Sequence, residues 1–445
     1  MSDWKKTKIG DFLFERKGKY KPNDKLIAGL QRIEKIDFSG NFHIASKPSK
    51  TNMILIKKGD LVISGINVAK GAMGIYSEEG DVVATIHYSS YTFDKTKINV
   101  GYFKRFLKSA EFIRLIEEQI KGGIKTEIKP KHVLPLEILL PSLNEQELII
   151  KHFESVETED LLLNNEISNQ QNLLKKLRQQ ILQDAIEGKF TKDWREQNPD
   201  VEPASELLKR IQSEKQQLIE DKKFKKGKKQ IASEGYKHDV ILPEVWTLPD
   251  LDDVTMYITD GTHQTPKYTL TGKMFLSAQN VKPFKFMPEN HKYVSDDDFK
   301  GYTKNRKTEK GDLLVGRVGS KGETAVVDQD LEFAIYVSLG LVKTFKDLTS
   351  PEYLAIVMNS PYGNNYATGN MSSLGASAGN FNLGRIRSFP VPFPPLQEQK
   401  EIVKKVEKLF AICDQLEEQI TSSQTNAEQL MQSVLKEAFS QNSAA

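Results

Sequence analysis

The sequence predicts an α+β protein in which two similar mixed α/β domains are joined by two long antiparallel coiled-coil helices with pseudo-two-fold symmetry. Three observations predict it. The stretch PSLNEQELIIKHF from Pro141 returns as PPLQEQKEIVKKV from Pro394, and Leu143 and Leu396 fix an offset of 253 residues. Lys58-Gly59-Asp60-Leu61-Val62 returns as Lys310-Gly311-Asp312-Leu313-Leu314, at an offset of 252. After each proline, apolar residues recur at alternating spacings of four and three, which is the heptad signature. A repeat spaced at more than half the chain implies two similar domains, each followed by a similar helix, and one chain can then mimic a two-fold dimer.

Residues 1–141 read as the first domain, because short β-like runs such as MILIKKGDLVISG and GDVVATIHYSSYTF alternate with Gly and Asn punctuation. Residues 142–190 read as the first spacer helix. Ser142 or Asn144 is suited to cap it, and acidic residues favour its first turn. Its seam is expected at Ile149, Phe153, Val156, Leu163, Ile167 and Leu177, with Asp160 and Gln170 as weak points. Residues 191–241 read as a helical and basic linker, including the Lys run from Lys222 to Lys229. Residues 242–394 repeat the first domain, and 395–440 repeat the helix, with Ile402, Val406, Leu409, Leu416, Ile420 and Leu430 on its seam. Cys413 and Ser423 soften the second helix at the positions matching Asp160 and Gln170. A helix from Ile149 to Ile181 is roughly 48 Å long at 1.5 Å per residue. Pairing of the two helices predicts that Leu163→Asp buries a carboxylate in the seam and disrupts it.

Composition limits the functions available. With 445 residues, 38% of them hydrophobic and 28% charged, the chain is long enough for two to four ordinary domains. A net charge of +3 gives no chain-wide basic field, so nucleic-acid contacts must come from local patches. The lone Cys413 excludes internal disulfides and thiolate metal clusters, and the seven His residues show no metal-ligand spacing. No apolar run approaches a membrane span, so a cytoplasmic protein without membrane contact is expected. There is no GxxxxGK[ST] loop and no GxGxxG after a strand. Asn359-Ser-Pro-Tyr362 superficially resembles the Asn/Asp-Pro-Pro-Tyr/Phe motif of amino-methylating DNA methyltransferases, but Ser360 replaces the shaping proline and the repeat lacks a counterpart.

Polar loops are more informative. The second domain offers Thr262, His263, Gln264, Lys267, Asn280, Arg317, Ser320, Lys321, Ser373 and Asn380. Corresponding loops of the first offer Lys19, Lys21, Ser64, Asn67, Lys70, Tyr88, Tyr91, Lys121 and Lys125. Such side chains supply the donors and acceptors that base edges and phosphates require. Grouped on matching loops of twin domains, they favour a double-stranded DNA face, with no catalytic and no metal-binding residue in the chain. A coiled-coil protein-binding adaptor is the competing reading of the same pattern.

At the helix starts, P-S-L-N-E-Q and P-P-L-Q-E-Q, the chain resembles the specificity subunit of a type I restriction-modification system. LLKKLRQQILQDAIEGKFTKDWRE from Leu173, LPEVW from Leu242 and the DGTHQTP loop from Asp260 strengthen the resemblance, which spans essentially the whole chain. It implies two target-recognition domains, each reading one half of a bipartite asymmetric site, with helices that set the gap and dock two methylation subunits. It also implies S-adenosylmethionine, ATP and Mg²⁺ on partner methylation and restriction subunits, and no active site or cofactor in this chain. A system whose methyltransferase and nuclease are fused in one partner is the variant reading within the family. Recognition loops vary across the family, so no base contact carries over.

Overall fold

The structure, a computed structural model, describes residues 4–45, 49–66, 71–119, 129–221, 223, 228, 240–320, 322–371 and 379–440. Its contacts divide the chain into two compact units, Met1–Asn169 with Ile420–Ala445, and Gln170–Gln419. Two helices, Leu143–Ile186 and Leu396–Ser440, each begin in one unit and end in the other.

The repeat is visible strand by strand. In the first unit a four-stranded antiparallel sheet runs in the order Leu13–Glu15, Tyr88–Phe93, Leu61–Ser64, Met73–Ile75. The second unit has the same order in Tyr257–Asp260, Leu339–Lys343, Leu313–Gly316, Thr324–Val326. Turn bonds match as well. Gly59 N donates to Tyr76 O as Gly311 N donates to Val327 O, and Gly65 N donates to His87 O as Arg317 N donates to Ser338 O.

The repeated Lys-Gly-Asp explains part of this frame. Gly59 and Gly311 lie at φ +89° and +92°, a left-handed conformation that costs a side chain but not glycine. The buried carboxylates of Asp60 and Asp312 then accept from Lys57 N at 2.9 Å and Glu309 N at 2.7 Å. Their cations differ. Arg16 grips Asp60 through Nε and Nη2 at 2.5 and 2.7 Å, whereas Lys343 Nζ reaches Asp312 at 2.8 and 3.0 Å. Burial raises the Asp312 carboxyl above the ordinary aspartate value despite its lysine. The duplication has kept the acid and replaced its partner.

Beyond the shared sheet the units diverge. In the first, Met53–Ile56 pairs with Val82–Thr85, and the hairpin of Ile33–Ile36 and Phe42–Ile44 joins that strand through a parallel bridge between Arg32 and Val83. In the second, Lys273–Leu276 lies between antiparallel Lys292–Val294 and parallel Phe333–Ile335.

Each long helix is fastened to its domain by a wholly buried glutamine. Gln146 Oε1 accepts from Asn99 N at 2.7 Å, and its Nε2 donates to Pro141 O at 2.9 Å. Gln399 Oε1 accepts from Ser350 N at 3.0 Å, and its Nε2 donates to Pro394 O at 3.0 Å. Asn99 and Ser350 are themselves N-caps of the helices Val100–Phe106 and Pro351–Asn359, so one amide locks two helix starts together. Ser142 and Glu145 complete a capping box at the first long helix, Glu145 accepting from Ser142 N at 2.9 Å.

Within each unit the helix segments pair antiparallel. In the first, Phe153 stacks on Phe439 at 5.7 Å, inside a core that includes Tyr102, Phe106 and Phe112. In the second, Arg178 bonds Asp414 at 2.6 Å and Glu417 at 3.0 Å and lies over the Phe410 ring, while Lys405 Nζ donates to Phe190 O at 2.6 Å. Phe153, Ile167, Leu174 and Ile181 are buried on one helix, and Ile402, Val406, Cys413, Ile420 and Ala427 on the other. Ile149, Val156 and Leu409 are half-buried. The expected seam is therefore narrower than the heptads suggest. Leu163, Leu177, Leu416 and Leu430 are 42, 45, 40 and 60% exposed. Two cylinders touch along one line, and the second apolar position of each heptad falls on the flank. A carboxylate at Leu163 would therefore meet solvent, which corrects the expected disruption by Leu163→Asp.

After Ile186 the chain turns at Gly188, φ +68°, and returns over the start of the second helix. There the fully buried Glu398 accepts from Thr191 Oγ1 at 2.6 Å, Trp246 Nε1 at 2.8 Å and Arg195 Nη1. The helix Ala204–Glu220 follows, its Leu207 and Ile211 buried and Lys215 Nζ bonded to Thr255 O at 3.1 Å. Of the Lys run from Lys222, only Lys223 and Lys228 lie within the described residues.

Candidate functional site

In the second unit several polar segments converge where strands Lys273–Leu276 and Phe333–Ile335 end side by side. Gly261 follows the strand Tyr257–Asp260, and a Cβ there would stand 2.1 Å from Ile335 O, so only glycine lets the chain pass. Thr262 N then donates to Ile335 O at 2.9 Å and Val337 N to Thr262 O at 3.0 Å, stitching the DGTHQTP loop to the strand end. Arg317 N donates to Ser338 O, Phe381 N to Arg317 O, and Val318 bridges Asn380. Ala278 N donates to Ser338 Oγ at 3.1 Å.

Arginines hold this end in place. The buried Arg317 guanidinium pairs with the Asp260 carboxylate and donates to Val337 O at 3.0 Å and Phe381 O at 3.2 Å. Arg306 Nη1 donates to Gly261 O at 2.6 Å and Asp260 O at 3.1 Å. Arg387 Nη2 donates to Ile258 O at 2.6 Å, and burial lowers its pKa. Asp260 also takes His263 Nε2 at 3.1 Å, although that imidazole is 70% exposed. A rigid arginine–aspartate base carrying an exposed loop suits recognition by a surface, since loops on fixed frames carry specificity.

Of the second-domain residues chosen from sequence, Thr262, Asn280, Arg317 and Asn380 form this base, while His263, Gln264 and Lys267 lie exposed on the loop. Asn280 is buried, its Oδ1 accepting from Ser277 N and its Nδ2 donating to Met287 O and Asn290 O. Ser320 accepts from Glu323 N at 3.2 Å. Lys321 and Ser373 lie outside the described residues. Sequence reading missed Arg306 and Arg387, which no motif marks. It also missed a polar hollow of about 410 Å³ lined by Gln279, Asn290, His291 and Lys292. Asn359 of the Asn-Ser-Pro-Tyr stretch is buried and ties its helix to Thr324 N and O.

In the first unit, Ser64 and Tyr88 are register partners on neighbouring strands, and Ile86 N donates to Asn52 O nearby. Lys19 and Lys21 are exposed on either side of Tyr20, which pairs with Met53. Tyr88 donates to Glu34 O at 3.3 Å. Tyr91 is in the hydrophobic core, where burial raises its phenol pKa. Asn67, Lys70, Lys121 and Lys125 lie outside the described residues.

The helix flanks form a second candidate surface. Leu161, Leu162, Leu163 and Leu430 are exposed in the first unit, and Leu173, Leu177, Ile412 and Leu416 in the second. Leu163 and Leu430 are the repeat images of Leu416 and Leu177 at the offset of 253, so each unit carries the same apolar pair on exchanged helices.

Comparison with known proteins agrees with this architecture. The type I restriction modification DNA specificity domain matches residues 243–423. The type I restriction enzyme EcoAI specificity subunit of Escherichia coli is 30% identical over 59% of this chain and 44% of its own. The EcoEI specificity subunit of Escherichia coli is 31% identical over 59% and 43%. The matched stretch thus spans less than half of either relative. A solved chain from a study of complex assembly and conformational transition of the type I R-M system superposes with TM-score 0.61 at 14% identity, covering 98% of this chain and 97% of that one. At that identity the likeness shows the fold. Among the described residues no helix is long and apolar enough to cross a membrane.

Proposed function

Because the chain belongs to the type I restriction-modification specificity family, its residues 243–423 matching the DNA specificity domain, we propose that it reads double-stranded DNA through both of its domains. Each domain recognises one half of a bipartite asymmetric site. The observation that carries this reading is the pairing of a shared frame with unlike loops: the two four-stranded sheets have one strand order, while the segments around them differ. Equal frames present two different sequences of donors and acceptors to two stretches of the same duplex.

In this reading Lys19, Lys21 and Lys267 hold phosphate in a salt-dependent way, and His263, Gln264 and Gln279 contact base edges. Arg317 acts one step back, fixing the loop through Asp260. The helices set the distance between half-sites. A span of roughly 48 Å exceeds a DNA turn of about 34–36 Å, so the half-sites lie on the order of one turn or slightly more apart.

The two repeat-related leucine flanks suit two copies of one partner, the methylation subunit. Chemistry belongs to the assembly: S-adenosylmethionine on the methylation subunits for adenine methylation, ATP and Mg²⁺ on restriction subunits. Selection from random duplexes by this chain with its methylation partner tests the reading. Two different half-sites at a fixed gap support it, and inserting four residues in both helices widens that gap. Binding without sequence preference, or an unchanged gap after the insertion, overturns it.

A further inference from the structure

Two histidines of the second unit each have one ring nitrogen committed to a group that can only accept. His291 Nδ1 lies 2.7 Å from Pro288 O, and His263 Nε2 lies 3.1 Å from the Asp260 carboxylate. These nitrogens must therefore carry the ring proton. In the neutral rings the opposite nitrogens, Nε2 of His291 and Nδ1 of His263, are then acceptors, and neither has a partner among the described residues. We propose, resting on the DNA-reading function above, that His291 reads a base alongside His263, the two rings taking exocyclic amino groups in the major groove. Adenine N6 and cytosine N4 are the amino donors that groove presents.

The fold brings both rings to one end of one sheet. Strands Lys273–Leu276 and Phe333–Ile335 run parallel with Leu276 opposite Ile335, and the loop bearing His263 is tied to Ile335 O. The outer strand Lys292–Val294 runs the other way with Lys292 opposite Phe275, so His291 enters it at that same end. The outgoing part of the His263 loop closes on this strand, Thr269 N donating to Tyr293 O at 2.9 Å and Lys292 Nζ lying over the Tyr268 ring. His291 is held as well as placed. Its ring stands at 85° to that of Tyr293 with centroids 4.7 Å apart, and it lines the polar hollow with Gln279, Asn290 and Lys292. The buried Asn280 fixes the wall of that hollow by donating to Asn290 O at 3.1 Å. An imidazole fixed through one nitrogen and one ring contact arrives with its acceptor already aimed, so little ordering is left for binding to supply.

Two measurements test the pair. In the whole chain labelled with nitrogen-15 histidine, the ring signals of His291, assigned by their loss in His291→Phe, should show a protonated Nδ1 and a bare Nε2 at about pH 8. The reverse tautomer overturns the proposal with no DNA present. The duplex that the chain selects with its methylation partner serves the second measurement, scanned base by base with purine for adenine and 2-pyrimidinone for cytosine. Loss of one amino group is expected to weaken the parent about tenfold at two positions, at one of which it costs His291→Phe nothing further and at the other His263→Phe. Both variants should melt as the parent does. Amino deletions that cost parent and variants alike, or variants that lose sensitivity to 7-deazaguanine instead, overturn this pairing alone. Selection of no preferred sequence overturns the DNA-reading function and the pairing with it.

Discussion

Glu145 and Glu398 occupy the same step of a repeated sequence, Asn-Glu-Gln in one helix start and Gln-Glu-Gln in the other, yet do different work. Glu398 is sealed beneath Thr191, Arg195 and Trp246, while Glu145 is a solvent-washed partner of Ser142. The next residue behaves oppositely: Gln146 and Gln399 make the same pair of bonds in both units. A duplicated side chain keeps its role where the same partners meet it in both units, and differs in role where the contacts around it, among the described residues, differ.

Substitutions at the two acids should separate them most. Glu398→Ala strips Arg195 and the indole of their acceptor, and breaking such a buried pair costs about 3–5 kcal/mol; denaturant unfolding should show a large loss, whereas Glu145→Ala should shift the same curve only slightly. Equal losses would mean that Glu145 is sealed too. Phe439→Ala and Ile186→Ala test the far ends of the helices. Costs of about 3–5 and 2–5 kcal/mol are expected, because each removes a packed core side chain. If Phe439→Ala proved silent in thermal melts, the end of the second helix would not belong to the first unit's core.

The symmetric positions should give symmetric answers. Gln146→Ala and Gln399→Ala each strand a buried N–H and a carbonyl, at about 1–3 kcal/mol apiece, and a difference larger than that range would show that one lock is redundant. Leu163→Ser and Leu177→Ser should leave stability within about 0.5 kcal/mol but weaken assembly with the methylation subunit in size-exclusion titrations. A large stability loss at either would return that leucine to the seam.

Much of this was legible in sequence, for reasons that vary by residue. The offset of 253 exposed both long helices, and the Lys-Gly-Asp repeat marked a turn because only glycine tolerates its dihedrals and only a short acid reaches back to the preceding N–H. The partners of those acids were not legible, since Arg16 and Lys343 come from different strand positions in the two units. Heptad spacing named the right faces but overstated the width of the seam, because periodicity reports apolarity and leaves open which apolar positions meet another helix. At the candidate site the loop residues were found as a group. That Arg317 holds the loop from beneath through Asp260, while Asn280 ties the neighbouring turn to Met287 and Asn290, depends on strand ends brought together by the fold, which composition cannot reveal.

The exchange of helix ends between units bears on synthesis. The first domain is drafted early, by Asn169, yet its aromatic core includes Phe439. At translation rates of about 5–20 residues per second, the last ring arrives roughly 15–50 s after the first domain emerges. Residues 170–419 are all made in that interval, so on the ribosome the unit encoded second can be finished first, while the earlier one waits with Tyr102, Phe106 and Phe153 incompletely covered.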